Sequence, residues 1–253
     1  LKCGADIVEI NTIRKRLSAV KGGKFARLCA PAKVYCIALS DILGDRPDSI
    51  ASGPACPDTS TSTEALAIAE KYHLKLTEEM KHLLAIETPK TLSNVTIEIT
   101  GSVTQLCKDA AATAKSLGYT PLILTNMLDC EAREAGRFLA SIAKTIQKDG
   151  LPLSPPCAIF CGGETVVHIT GKGKGGRHQE LALAAAERIG GMREVVIAAV
   201  GSDGTDGPTD AAGGIVDGNT HSLLAEKGIS IPVVLAENDS NPALAAADAL
   251  LVT

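Results

Sequence analysis

The sequence predicts an α/β protein built from two layered domains. Apolar runs of strand length alternate with amphipathic helical stretches along the chain, which is the pattern of layered α/β folds. At 253 residues and 45% hydrophobic content, the chain can bury one large core or two moderate ones. A proline-rich break at residues 151–156 interrupts the alternation, so the expected domains are residues 1–155 and 156–253.

The elements follow in order. Residues 7–19 read as a helix with Ile10, Ile13 and Leu17 on its apolar face; for Arg16 a solvated face and a functional one weigh equally. Residues 34–39, V-Y-C-I-A-L, fit a buried parallel strand. Residues 58–63 read as a loop and N-cap region ahead of a helix at 64–72, and Thr77 caps a second helix at 78–84. A strand at 95–100 leads into a helix at 103–117 that Gly118 ends. A short strand at 122–124 precedes a helix at 131–148 with Ala132, Ala135, Leu139, Ile142 and Ile146 facing the core. Beyond the break, residues 162–180 form a glycine-rich, hairpin-like run that feeds a helix with Leu181, Ala184, Ala185 and Ile189 on one face. A strand at 195–200, a helix near 220–227, a strand at 233–236 and, after Asn238-Asp239-Ser240-Asn241, an alanine-rich helix complete the series.

Composition excludes several classes of function. A net charge of −4 offers no global basic face, and three Tyr, three Phe and no Trp offer no stacking platform, so nucleic acid is not an expected partner. The longest apolar runs are far short of the ~20 residues that cross a bilayer, so no membrane role is expected. None of the eight cysteines lie at C-x-x-C spacing. They read as small buried hydrophobes, and the expected compartment is the reducing cytoplasm. No signal-like segment opens the chain, and both ends read as cut from something longer.

Chemistry concentrates in glycine-rich loops and at strand ends. Gly162 to Glu180 combines glycines, which let a ligand approach the backbone, with Lys172, Lys174 and Arg177, and a helix N-terminus follows. This suits a phosphate or carboxylate. Lys21-Gly22-Gly23-Lys24 offers a second backbone anion nest. Asp41 and Asp45 follow the strand at 34–39, where carboxylates have the chemistry to hold a hydrated Mg²⁺ or to cap an Asx-type turn. Asp203 and Asp206 follow the strand at 195–200 in the same way. Gly171, Gly173 and Gly176 also satisfy the dinucleotide pattern G-x-G-x-x-G. The preceding residues 165–170 look like half of a hairpin rather than the first strand of a βαβ unit, and two lysines fill the intervening positions, so a nicotinamide site is the weaker reading. His178 sits in the first turn of a helix with no acid partner evident and reads as a hydrogen-bonding residue rather than a base. Cationic glycine loops and strand-end aspartates together make up the parts of a phosphoryl-transfer site.

Seven runs in order resemble one family: E-I-N-T-I-R-K (Glu9 to Lys15), K-G-G-K (Lys21 to Lys24), S-D-I-L-G-D (Ser40 to Asp45), I-A-S-G-P (Ile50 to Pro54), G-G-E-T (Gly162 to Thr165), G-K-G-G-R-H-Q-E (Gly173 to Glu180) and G-S-D-G-T-D-G-P-T-D-A-A-G (Gly201 to Gly213). They are similar to the class II glycerate kinases, which phosphorylate D-glycerate with ATP and Mg²⁺, typically to 2-phosphoglycerate; many members carry the label hydroxypyruvate reductase. The resemblance implies a larger Rossmann-like domain and a smaller C-terminal α/β domain, called multi-organism fragment with rich leucine, with the active site in the interdomain cleft. Family chains also carry an N-terminal segment with a Gly-Lys-Ala element and a C-terminal Gly-Pro-Thr-Gly-Thr-Asn run, neither of which is present here. Where the family commonly has Asn and Thr, this chain has His178 and Ser202.

Residue roles follow from the resemblance together with charge and position. Arg177, Lys21 and Asp41 are the catalytic candidates. Gly162, Gly163, Glu164, Lys172, Gly173, Lys174, Gly175, Gly176 and Asp203 are the nucleotide-binding candidates. Arg14, Ser52 and Gly53 are the substrate-binding candidates, and Asp41, Asp45 and Asp206 the metal candidates. D-glycerate and ATP are the expected partners, and a homodimer is compatible with the sequence. The competing readings are an NAD(P)H-dependent hydroxypyruvate reductase and an inert fragment that binds a phosphometabolite.

Overall fold

The computed structural model describes residues 3–40, 44 and 46–253. The chain divides into two compact units, Leu1–Leu106 and Cys107–Thr253.

The first unit opens with α1 (Ile7–Leu17), started by a capping box in which Asp6 and Glu9 exchange side-chain and backbone bonds. The buried residues of α1 are Asn11, Thr12, Lys15 and Arg16, while Leu17 is exposed. The helix therefore turns a polar face inward, and the solvated reading of Arg16 is corrected. A short α2 (Lys24–Cys29) follows, and Lys24 reaches back to donate to the carbonyls of Arg16 and Ser18 at the end of α1, at 2.9 and 2.7 Å. Strand β1 (Val34–Leu39) pairs in parallel with β2 (Val95–Gly101). Alternate residues Tyr35, Ile37 and Leu39 are exposed, so within this unit the strand is covered on one face and not on both as its apolar run suggests. Between the strands lie a 3-10 turn at Ile50–Ser52, α3 (Ser62–Lys71) with a Thr61–Glu64 capping box, and α4 (Glu78–Ala85) capped by Thr77, with Ala65, Ala69 and Leu84 forming a small core.

In the second unit, which begins inside α5 (Val103–Ser116), strand β3 (Thr120–Leu128) pairs in parallel with β4 (Cys157–Gly163) across α6 (Ala132–Asp149). Residues 164–176 form an irregular strap whose one bridge joins Glu131 and Val166, in place of the expected hairpin. It delivers the chain to α7 (Arg177–Ile189), the centre of the main core, where every residue from Gln179 to Ala186 is buried. A continuous L-A-L-A-A-A run at residues 181–186 leaves no polar face there, which is the signature of a helix surrounded on all sides. Gly136 allows α6 to lie against it, because a Cβ there would meet the Leu181 carbonyl oxygen at 2.2 Å.

A three-stranded antiparallel sheet follows, β5 (Val196–Val200), β6 (Gly213–Asp217) and β7 (Leu250–Leu251), in that spatial order. Strand β6 escapes sequence reading because its glycines carry no strand propensity; they are needed for packing, since a Cβ at Gly213 would lie 1.9 Å from the Ala199 carbonyl oxygen. Helices α8 (Thr220–Glu226), α9 (Ile231–Ala236) and α10 (Ser240–Ala246) complete the unit. The strand expected at 233–236 is instead α9: a short apolar run fits either state, and Pro232 in its first turn favours the helix.

Candidate active site

Helix α7 is preceded at its N-cap position by Gly176, which has no side chain to cap it, yet its first amides are not free. Asp206, reached through the loop after β5, accepts the backbone amides of His178 and Gln179 at 3.1 and 2.8 Å, His178 Nδ1 at 3.0 Å and Gln179 Nε2 at 3.0 Å. Burial alone would raise the Asp206 carboxyl, but the bonds from His178 and Gln179 outweigh it and hold its pKa below the usual range. The positive end of the helix thus carries an anion supplied by the chain itself. Gly176 makes room for it, because a Cβ there would lie 2.4 Å from Asp206 Oδ1. His178 has an acid partner after all, twenty-eight residues away and invisible to local spacing.

Arg177, one residue before these amides, forms an ion pair with Glu164 just beyond β4. Asp203 titrates below its usual range because the Thr205 amide and hydroxyl hold it, with a further contribution from the Arg177 charge. The G-G-E-T, G-G-R-H-Q-E and G-S-D-G-T-D runs, far apart in sequence, therefore meet around the first turn of α7. Gly162 and Gly163 end β4, and Gly163 lets β3 approach: a Cβ there would be 2.1 Å from the Leu128 carbonyl oxygen.

The glycine loop at the end of the strap, residues 171–176, lies along residues 237–241. The Gly173 amide donates to the Glu237 carbonyl at 2.8 Å and the Lys174 amide to Asp239 Oδ1 at 2.7 Å, while the Thr170 and Gly171 amides both donate to Asn238 Oδ1. A Cβ at Gly171, Gly173 or Gly175 would meet Glu237, Asp239 or Ser240 within 2.4 Å. Here the glycines serve close packing of the chain on itself. What the loop presents outward is the exposed side chains of Lys172 and Lys174.

In the first unit, the lysine-glycine loop and the I-A-S-G-P loop come together. Gly22 and Gly23 donate to the carbonyls of Ser52 and Gly53 at 3.0 and 2.8 Å, and Lys21 Nζ donates to the Ala51 carbonyl at 2.8 Å. The amides expected to form an anion nest are thus used within the fold. Ala51 and Ser52 both have positive φ, 50° and 58°, a conformation that costs energy without glycine and concentrates where geometry is functional. Ser52 Oγ and Arg14 both donate to Asn11 Oδ1, at 3.0 and 3.4 Å, so Asn11 joins two of the substrate-binding candidates. Beneath them the buried Lys15 ammonium bridges Asp48 and Asp58 at 3.1 and 3.0 Å, and Asp58 also accepts Thr88 Oγ1 at 2.7 Å. Asp58, Lys15 and Asn11 were not among the candidates. Paired basic residues at Lys15 and Arg16 inside an otherwise helical apolar pattern are the signal that points to a buried acid.

Asp41 and Asp45 lie outside the described residues. Among the described residues, no group of three or more His, Cys, Asp or Glu is arranged to hold a metal, and both oxygens of Asp206 are engaged. Nor is any helix among them long and apolar enough to cross a membrane.

Residues 1–85 match the family model described as a domain of unknown function (DUF4147), and residues 157–253 match that of the MOFRL family. The chain is 54% identical over its whole length to D-glycerate 2-kinase of Thermotoga maritima, of which it spans 61%. It is also 32% identical to a glycerate kinase of Macaca fascicularis, with 94% of this chain and 72% of that one covered. This chain belongs to the glycerate kinase family. A crystal structure of glycerate kinase from Thermotoga maritima superposes on the whole chain with a TM-score of 0.95, covering 61% of that protein. The glycerate kinase fold seen there is therefore present over these 253 residues, and the chain spans about three fifths of that relative's length. The MOFRL match contains Gly162, Arg177 and Asp206, so the arrangement around the first turn of α7 lies within the segment that matches that family.

Proposed function

We propose that the whole protein is an ATP-dependent kinase that phosphorylates D-glycerate, with 2-phosphoglycerate as the product. The observation that carries this reading is the convergence of Glu164, Arg177, Asp203 and Asp206 on the start of α7, beside a loop that exposes Lys172 and Lys174. Phosphoryl transfer needs cations placed around an anionic group and little covalent chemistry. Arg177, held in place by Glu164, offers a planar fork to the transferred group or to the glycerate carboxylate. Lys172 and Lys174 neutralise nucleotide phosphates, with Gly162 and Asp203 lining the approach, while Gly163, Gly173, Gly175 and Gly176 serve the packing that holds these side chains in place. Lys21, Arg14, Ser52 and Gly53 serve the substrate from the first unit. Mg²⁺, when bound, supplies charge neutralisation, with Asp41 and Asp45 as its ligands in this reading; Asp206 serves better as the α7 cap. The names of the relatives support the substrate, and the start of the second family model at residue 157 supports a domain junction at residues 155–156. A Rossmann-like larger domain, an active site in the interdomain cleft and a cytoplasmic location complete the proposal.

One assay tests it. The complete polypeptide is incubated with D-glycerate and Mg-ATP, and separately with hydroxypyruvate and NAD(P)H, while ADP release and nicotinamide absorbance are followed. Glycerate-dependent ADP release is expected. Nicotinamide oxidation without ADP would instead establish the reductase, and neither activity would leave an inert phosphometabolite-binding protein.

A further inference from the structure

The run Glu237-Asn238-Asp239-Ser240-Asn241 has no role in the chemistry described so far, yet it backs the whole glycine loop. Asn238, buried and in the left-handed region at φ 55°, uses all of its amide capacity. Its Oδ1 accepts the Thr170 and Gly171 amides at 2.8 and 2.9 Å, and its Nδ2 donates to the His168 carbonyl and to Glu180 Oε2, both at 3.2 Å. Two donors on one side and two acceptors on the other permit only this orientation of the amide. Glu180 lies on α7, three residues after Arg177, and is itself paired with Arg133 of α6. Asn241 Nδ2 makes a second link, donating to Gln179 Oε1 at 2.8 Å.

From this geometry we propose that Asn238 is a positioning residue for phosphoryl transfer. Through Glu180 it ties the loop that carries Lys172 and Lys174 to the helix that carries Arg177, so this amide, together with the Asn241–Gln179 link, holds the two sets of cations in register. The inference rests on the kinase reading above. It predicts that loosening the clamp weakens nucleotide binding more than it slows the chemical step, because the lysines move while Arg177 keeps its partner Glu164.

The test is Asn238→Asp and Asn238→Ala in the complete polypeptide, with kcat and KM for ATP measured from about pH 8 to about pH 5.5, and hydrogen exchange read at residues 170–174. Aspartate keeps the acceptor for the two loop amides and tolerates positive φ, but sets a carboxylate against Glu180. The other groups facing position 238 are Arg133 and Glu131 beyond Glu180, His168 on the strap, and the flanking Glu237 and Asp239. KM for ATP is expected to rise about tenfold at the alkaline end, with kcat changed far less. The gap should close at the acid end, where the carboxylate pair shares a proton and the donor is restored. Asn238→Ala should raise KM at every pH and speed exchange at Thr170 and Gly171. Wild-type KM in Asn238→Asp at both ends, or an equal pH-independent loss in kcat and KM, overturns the inference. Absence of glycerate-dependent ADP release from the wild type overturns the kinase reading instead, and hydrogen exchange at Thr170 and Gly171 still decides whether the clamp exists.

Discussion

The Asp206 carboxylate lies 2.8 Å from the backbone amide of Gln179 and caps a helix that begins twenty-nine residues earlier. A carboxylate there satisfies amides that no helical carbonyl can reach and meets the positive end of the helix dipole.

Asp206→Asn should therefore destabilise the protein by about 2 kcal/mol or more at pH 7. The sign of the pH dependence follows from the lowered folded pKa of Asp206. Its contribution is fully present above the unfolded carboxylate value of about 3.9 and is lost as pH falls through the folded value. Denaturant melts of wild type and variant should diverge at neutral pH, and the gap should narrow as pH falls below the unfolded carboxylate value. A constant gap across that range would show that the charge of Asp206 is not what stabilises α7.

Arg177 is partly exposed and bonded to a partly exposed Glu164, so its loss should spare the fold. Arg177→Ala is expected to lower glycerate-dependent ADP release by about a hundredfold or more, with Arg177→Lys intermediate because the charge stays and the fork is lost. Turnover within a few-fold of wild type would remove Arg177 from the site.

At Gly173 a Cβ would lie 2.4 Å from Asp239 Cβ. Gly173→Ala must then push the loop off residues 237–241, costing about 1–3 kcal/mol and exposing the strap to protease. Unchanged melting temperature and unchanged cleavage would mean the loop does not rest on that segment in solution.

In the first unit, Asp58 is the buried acid between Lys15 and Arg16, and its pKa lies below the usual range because the Thr88 hydroxyl and Lys15 outweigh the effect of burial. Asp58→Asn should cost about 3 kcal/mol by leaving two cations short of charge. Calorimetry checks this, and a loss below about half a kcal/mol would place the pair in solvent rather than in the core.

Much of this was legible from local chemistry. Thr77 caps α4 and Gly118, at φ 89°, closes α5 as their residue types suggest, because capping involves only neighbouring atoms. The glycine loops were legible as places of close approach. What approaches them was not: at Gly173 it is Asp239, and at Gly23 it is the Cys56 carbonyl oxygen, 2.8 Å from a built Cβ. A glycine records that something comes near, not whether that thing is a ligand or another part of the chain. The same limit turned residues 233–236 from an expected strand into α9 and hid β6, whose glycines have no strand preference until β5 lies beside them.

By itself the sequence determined the α/β alternation, the caps, the family and the set of charged and glycine-rich runs that mark the site, since these depend on residue type and order. Only the tertiary structure decided that Asp206 caps α7, that Glu164 holds Arg177, and that Asn238 backs the glycine loop. Those partners are 13 to 68 residues apart. Burial removes water as the competing partner for each group, so packing chooses the bond, and neither propensity nor spacing encodes that choice.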